Sequence, residues 1–168
     1  MSKLAFIFPG QGAQKAGMGK DFYENSEAAR SFFDQAQKIL DFDLKEMCFG
    51  EHEELNLTEY TQPCMVSVCL AIVQELKKRG INPDITAGLS LGEYAAVAAA
   101  GGMNELDAIK LVRRRGILMQ STVPAGEGAM AAVLGLDAKK IEEILESFEN
   151  VWIANYNCPG QIVITGLT

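Results

Sequence analysis

Ile85-Thr86-Ala87-Gly88-Leu89-Ser90-Leu91-Gly92-Glu93-Tyr94-Ala95-Ala96-Val97-Ala98-Ala99-Ala100 is the stretch on which the fold turns. A short apolar run leads into Gly-x-Ser-x-Gly, and an alanine-rich run leaves it. The first reads as a strand, the last as a helix, and the turn between them has the context of a nucleophile elbow. A serine at the tip of so sharp a turn has strained backbone angles. Side chains two residues away would strike the turn, so glycine stands on both flanks. The Leu91 amide then falls at a helix N-terminus, where unpaired N–H groups and the dipole favour negative charge. An oxyanion formed on Ser90 would lie there. The plainer alternative is a glycine-rich turn with an incidental serine.

The flanking segments fit the same architecture. Residues 4–8 form an unbroken apolar run closed by Pro9-Gly10, as expected of a buried parallel strand. Gly10-Gln11-Gly12-Ala13-Gln14 follows as a glycine-rich loop. Residues 21–40 read as one helix. Residues 61–80 read as a strong one, with Met65, Val68, Cys69, Ile72, Val73 and Leu76 at helical spacing and Gly80 as its stop. Asn104 is the expected N-cap of a helix reaching about Gln120. Strands alternating with helices predict a parallel α/β sheet.

A boundary is expected at 123–128, which divides the chain into domains 1–124 and 125–168. Beyond it the pattern becomes strand (129–136), helix (137–148), strand (151–155), turn (157–160) and strand (161–165). Strand-helix-strand-strand is most of a ferredoxin-like βαββαβ unit. Its missing closing elements would cost strand 161–165 a neighbour and leave apolar surface and an open sheet edge.

The chain has 168 residues, 48% of them hydrophobic, and a formal charge of −7. That describes a foldable domain, with no electrostatic footprint for a nucleic acid. The Arg113-Arg114-Arg115 cluster lies inside a helical pattern and is too short for a polyanion-binding tail. Cys48, Cys64, Cys69 and Cys158 show no metal spacing, and Cys64 and Cys69 are expected in the core. No metal and no cofactor site is predicted. No apolar run reaches signal-peptide or membrane-spanning length, so the chain reads as cytoplasmic with no membrane partner.

Two further residues carry chemistry. Arg115 falls on the stripe formed by Ala108, Leu111, Val112, Leu118 and Met119, whereas Arg113 and Arg114 point elsewhere. An inward arginine must meet an anion, either a protein carboxylate or a ligand carboxylate held by both arms. The Gln11 loop follows the first strand, at the sheet edge where ligands bind. Lys15 stands where GxGxxG would need its last glycine, so no dinucleotide site is supported. Gln11 supplies a second oxyanion amide, or the loop is a simple tight turn.

Taken in order, Phe8-Pro9-Gly10-Gln11-Gly12-Ala13-Gln14, Thr61-Gln62-Pro63, Gly88-Leu89-Ser90-Leu91-Gly92-Glu93-Tyr94, Arg113-Arg114-Arg115-Gly116 with Met119-Gln120, and Asn157-Cys158-Pro159-Gly160-Gln161 resemble the malonyl-CoA:acyl carrier protein transacylase family. The match runs across essentially the whole chain. The resemblance implies an α/β-hydrolase-like subdomain with an inserted ferredoxin-like one, here incomplete. It implies that Ser90 takes a malonyl group from malonyl-CoA and passes it to the phosphopantetheine thiol of acyl carrier protein, for fatty acid or polyketide synthesis. Gln11 and Leu91 would be the oxyanion-hole amides, Arg115 the carboxylate clamp, and Asn157 a residue lining the cleft. The sequence departs from the family pattern at Leu89, where histidine is usual, and a tuned rather than inactive site is expected. The family's catalytic histidine lies beyond the third strand of the small subdomain. The one histidine here, His52, sits between Glu51 and Glu53 and reads as a surface residue. The chain is therefore expected to be the N-terminal part of a longer protein and to be inactive by itself. Two alternatives stand beside this reading: a serine hydrolase of α/β-hydrolase type, and a binding module that keeps the acyl site without the base. A buried cation favours the transferase over a hydrolase of neutral esters.

Overall fold

β1 (Ala5–Phe8) and β2 (Ile85–Gly88) lie far apart in the chain yet pair in parallel, Ala5 opposite Ile85 and Phe8 opposite Gly88. This register brings the Gln11 loop and the serine turn to the same sheet edge. The computed structural model describes residues 3–122 and 126–167. It divides into two compact units, Met1–Gln120 and Ser121–Thr168. The expected boundary stretch Val123-Pro124-Ala125 lies outside the described residues.

In the first unit the strands are less buried than their apolar sequence predicts. Phe8 is buried and Phe6 packs on the core, but Ile7 on the opposite face is 78% exposed. The continuous apolar run predicts cover on both faces; among the described residues the helices cover only one. The expected helix over 21–40 is two, α1 (Lys20–Asn25) and α2 (Glu27–Gln37). Ser26 separates them in extended conformation, and its hydroxyl accepts the Ala29 amide hydrogen as the N-cap of α2. A short α3 (Leu44–Phe49), capped by Asp43, and a single 3-10 turn (Glu53–Asn56) follow.

α4 (Thr58–Lys78) begins a turn before the expected start and carries Pro63 inside it. Proline has no N–H, so the Glu59 carbonyl loses its helical donor. The Arg113 guanidinium replaces it, donating from Nη1 at 2.8 Å. At the other end Ile81 N–H bonds to Leu76 O and Gly80 N–H to Lys77 O, with Gly80 at φ 76°, a Schellman stop. α5 (Leu91–Ala99) and α6 (Glu105–Thr122) complete the unit. Asn104 caps α6 through the Leu106 and Asp107 amides, as the sequence predicts. Cys48 and Cys64 are core residues, whereas Cys69 is half-buried.

The second unit is a three-stranded antiparallel sheet with one helix. β3 (Gly128–Leu134), α7 (Ala138–Leu145), β4 (Val151–Cys158) and β5 (Gln161–Leu167) follow in chain order, and the sheet order is β3-β5-β4. Asp137 caps α7, and Ile141 and Ile162 are buried. One expectation is reversed here. The last strand, β5, is central and paired on both sides, so the edges are β3 and β4.

Candidate active site

The serine turn is built from two strand ends and a helix start. Leu89 N–H donates to Phe8 O at 3.1 Å, and Gly92 N–H closes the turn on Leu89 O at 2.9 Å. Ser90 stands at φ 53° and ψ −113°, a conformation that side-chain-bearing residues rarely hold, and α5 starts at the next residue. The glycines are sterically required. A Cβ at Gly88 would lie 2.1 Å from the Gly92 carbonyl, and one at Gly92 would lie 2.5 Å from the Phe8 and Pro9 carbonyl oxygens. The turn is therefore pressed between the first turn of α5 and the end of β1. Leu91 is the first residue of α5, so its N–H has no acceptor within the helix. Leu89 is exposed and lies against Gly10.

Arg115 reaches this serine. Its Nη2 donates to Ser90 Oγ at 3.0 Å and its Nη1 to Gln62 Oε1 at 2.7 Å. The guanidinium carbon lies 5.9 Å from the centroid of the Tyr94 ring. Among the described residues no carboxylate pairs with it. The alternative of a protein carboxylate partner is thus not what the structure contains. The stripe that directs Arg115 also differs from expectation. Ala108, Ile109, Val112 and Gly116 face the core, whereas Leu111, Leu118 and Met119 are exposed. Gly116 sets the close approach of α6 to α4: a Cβ there would lie 2.8 Å from Glu59 Cα and Thr58 O.

Arg113, expected to point away, is well enclosed, with its side chain 13% exposed. It bonds Asp41 at 2.8 and 2.9 Å and Glu59 Oε2 at 3.2 Å, and lies against the rings of Phe42 and Tyr60, which pack edge-to-face on each other. This bond to Arg113 holds the Asp41 carboxyl below the usual carboxylate range.

The Gln11 loop is anchored by side chains. Gln11 Nε2 donates to Thr58 Oγ1 at 3.1 Å, and Thr58 N–H donates to Gln120 Oε1 at 3.1 Å. Gln14 holds the loop from the other side, accepting from Gly12 N–H and donating to Asn56. The start of α4 therefore joins the loop to the arginine helix. Gln62, Thr58, Tyr94 and Gln120 were not assigned roles from sequence. The available signal was Gln62, an amide in an otherwise apolar helical run.

The other candidate nucleophiles fit less well. Cys48 and Cys64 are buried, and the hydrogen bond from Cys48 together with burial pushes the Cys64 thiol up. Burial pushes Cys69 up to about 11. His52 is half-buried, with Nε2 3.0 Å from Glu46 Oε1, in a polar depression shared with Gln14, Lys15 and Asn56. Asn157 lies in the second unit, near the end of β4, and donates to Gln161 Oε1 at 3.2 Å across the hairpin. The expected turn there is shorter, because β4 continues to Cys158. Among the described residues no cluster could hold a metal ion, and no helix is long and apolar enough to cross a membrane.

Residues 5–168 match the family model for the acyl transferase domain. The chain is 49% identical, over 99% of its own length and 54% of the relative's, to a malonyl CoA-acyl carrier protein transacylase of Bacillus subtilis (strain 168). It superposes at TM-score 0.90, with 45% identity, on the malonyl CoA-acyl carrier protein transacylase from Clostridium perfringens, covering 99% of this chain and 54% of that one. A type II PKS acyl-carrier protein in complex with its malonyl-transacylase gives TM-score 0.88 at 39% identity, covering 99% of this chain and 56% of the other. The chain thus spans about half the length of the proteins it matches.

Proposed function

The chain belongs to the acyl transferase domain family, and on that footing we propose that it carries the nucleophile and carboxylate clamp of a malonyl transferase. The observation that carries this reading is the pairing of Ser90, on its strained turn, with an arginine that has no protein carboxylate among the described residues. A hydrolase of neutral esters has no use for such a cation.

In the proposed reaction Ser90 Oγ attacks the thioester carbonyl of malonyl-CoA. Its proton passes through a base to the departing sulfur, the C–S bond breaks and coenzyme A leaves as the thiol. The phosphopantetheine thiol of acyl carrier protein then gives its own proton to the base and attacks the malonyl-serine ester, and the departing serine oxygen takes that proton. The amides of Leu91 and Gln11 receive the oxyanion of both tetrahedral intermediates. Arg115 is already aimed at Ser90, so a malonyl carboxylate would take its two N–H arms in a forked pair. His52 is engaged with Glu46, and we place the base outside these 168 residues.

We read the first unit as part of an α/β-hydrolase-like subdomain. The second we read as three strands and one helix of a ferredoxin-like one, a reading supported by the central place of β5. The test is acyl-enzyme trapping. The protein that carries this chain, at its full natural length, is incubated with malonyl-CoA, quenched in acid and mapped by mass. One malonyl group is expected on the peptide containing Ser90 and none in Ser90→Ala; an adduct that survives the substitution would overturn the assignment.

A further inference from the structure

We infer that Gln62 is a positioning residue that makes the site selective for anionic acyl groups, by orienting Arg115 without neutralising it. The inference rests on the reading of Arg115 as the carboxylate clamp. Gln62 is fully buried, and a buried amide must have partners. A guanidinium only donates hydrogen bonds, so the amide oxygen must face it. This leaves Nε2 toward Met119 Sδ, at 3.3 Å. Both ends of the amide are therefore held, and the 2.7 Å bond fixes the direction of the fork whose other arm meets Ser90.

The chemistry of the partner matters more than its presence. α6 presents Arg113 and Arg115 two residues apart, within a single turn and so on different sides of the helix, and the protein treats them oppositely. Arg113 is matched by Asp41 and Glu59, so its charge is consumed within the fold. Arg115 meets an amide oxygen, a hydroxyl and an aromatic face, all of them uncharged. A carboxylate at position 62 would hold the same fork through a stronger bond. It would also cancel the charge that a ligand carboxylate needs, and would repel that carboxylate. Glutamine supplies the geometry of glutamate and leaves the cation uncompensated.

The test compares transfer from malonyl-CoA and from acetyl-CoA to acyl carrier protein, in the protein at its full natural length. Gln62→Glu, nearly isosteric, should lower kcat/KM for malonyl by about thirtyfold or more, the fold-change of a lost charge pair. Acetyl transfer should stay within about threefold, because an acetyl group makes no demand on the arginine charge. Gln62→Met fills the same space with no acceptor and no charge. It should cost malonyl transfer about tenfold, the range for a hydrogen bond to a charged group, and again spare acetyl. Thermal melts identify any variant that fails to fold, and the variant that folds decides. Equal loss for both acyl groups, or a malonyl-to-acetyl ratio within threefold of the parent, would overturn the inference. Arg115→Ala separates it from the reading beneath it. If that variant keeps the parental ratio, the clamp reading fails and the role of Gln62 with it; if it collapses the ratio while both Gln62 variants keep it, only the role of Gln62 fails.

Discussion

Ser90 shows how one residue's conformation is decided by its neighbours. Its φ of 53° costs of the order of 1–3 kcal/mol and persists because Gly88 and Gly92 let β1 and α5 close around it. The strain exposes Oγ at the tip, where Arg115 meets it. If the guanidinium clamps the substrate carboxylate, Arg115→Ala should lose about 2–5 kcal/mol in malonyl transfer, the range for truncating one partner of a buried pair. Acetyl transfer should hold or rise. Arg115→Lys should be nearly as impaired, since one ammonium lacks the planar fork that reaches both Gln62 Oε1 and Ser90 Oγ. Steady-state kinetics with both acyl donors checks this, and parallel losses would mean that Arg115 serves the fold instead.

At the scale of elements, α4 and α6 are joined by a compensation that neither helix shows alone. Pro63 removes the donor for the Glu59 carbonyl, and Arg113 supplies one from the neighbouring helix. Arg113→Ala should therefore leave that part-buried carbonyl without its donor and cost about 1–3 kcal/mol, the penalty for an unsatisfied group. Pro63→Ala restores a main-chain N–H at the position that reaches Glu59. In the Arg113→Ala background it should recover part of the loss, whereas alone it should change little. Urea unfolding of the four proteins measures the coupling. Additive effects would show that the arginine does not stand in for the missing amide. The same helix pair carries Gln62 and Arg115, joined by their own hydrogen bond.

For the whole molecule, apolar exposure is the leading feature. Ile7 stands out from β1, and Met130, Leu134, Trp152 and Tyr156 are exposed on the second unit. A groove of 420 Å³ beside β1 is lined by Phe6, Phe8, Met18, Met65, Val68 and Ile72. Surfaces of this kind associate in water. Residues 1–168 expressed alone should therefore self-associate, which light scattering would detect. On the proposal that the base lies outside these residues, with His52 engaged by Glu46, the same material should transfer malonyl groups far more slowly than the protein at its full natural length, at the residual level of a serine enzyme deprived of its base. A monomer with near-normal turnover would return His52 to consideration.

The sequence by itself determined the features that depend on near neighbours. The serine turn between Gly88 and Gly92, the Asn104 cap and the Gly80 stop are local steric and hydrogen-bonding problems with few solutions, so they were legible. The five ordered motifs likewise pointed to the family that the comparisons support. What depends on partners remote in the chain was decided only by the tertiary structure. The apolar stripe of α6 was misread because Gly116, the residue of closest approach to α4, has no side chain to mark it. Arg113 and Arg115 look alike in sequence, and only packing against Asp41, Glu59 and Gln62 made one a structural cation and the other an available one. The order β3-β5-β4 escaped the strand pattern for the same reason: alternation marks the faces of a strand and leaves its neighbours open. Charge, burial and pairing are properties of surroundings, and surroundings exist only once the chain has folded.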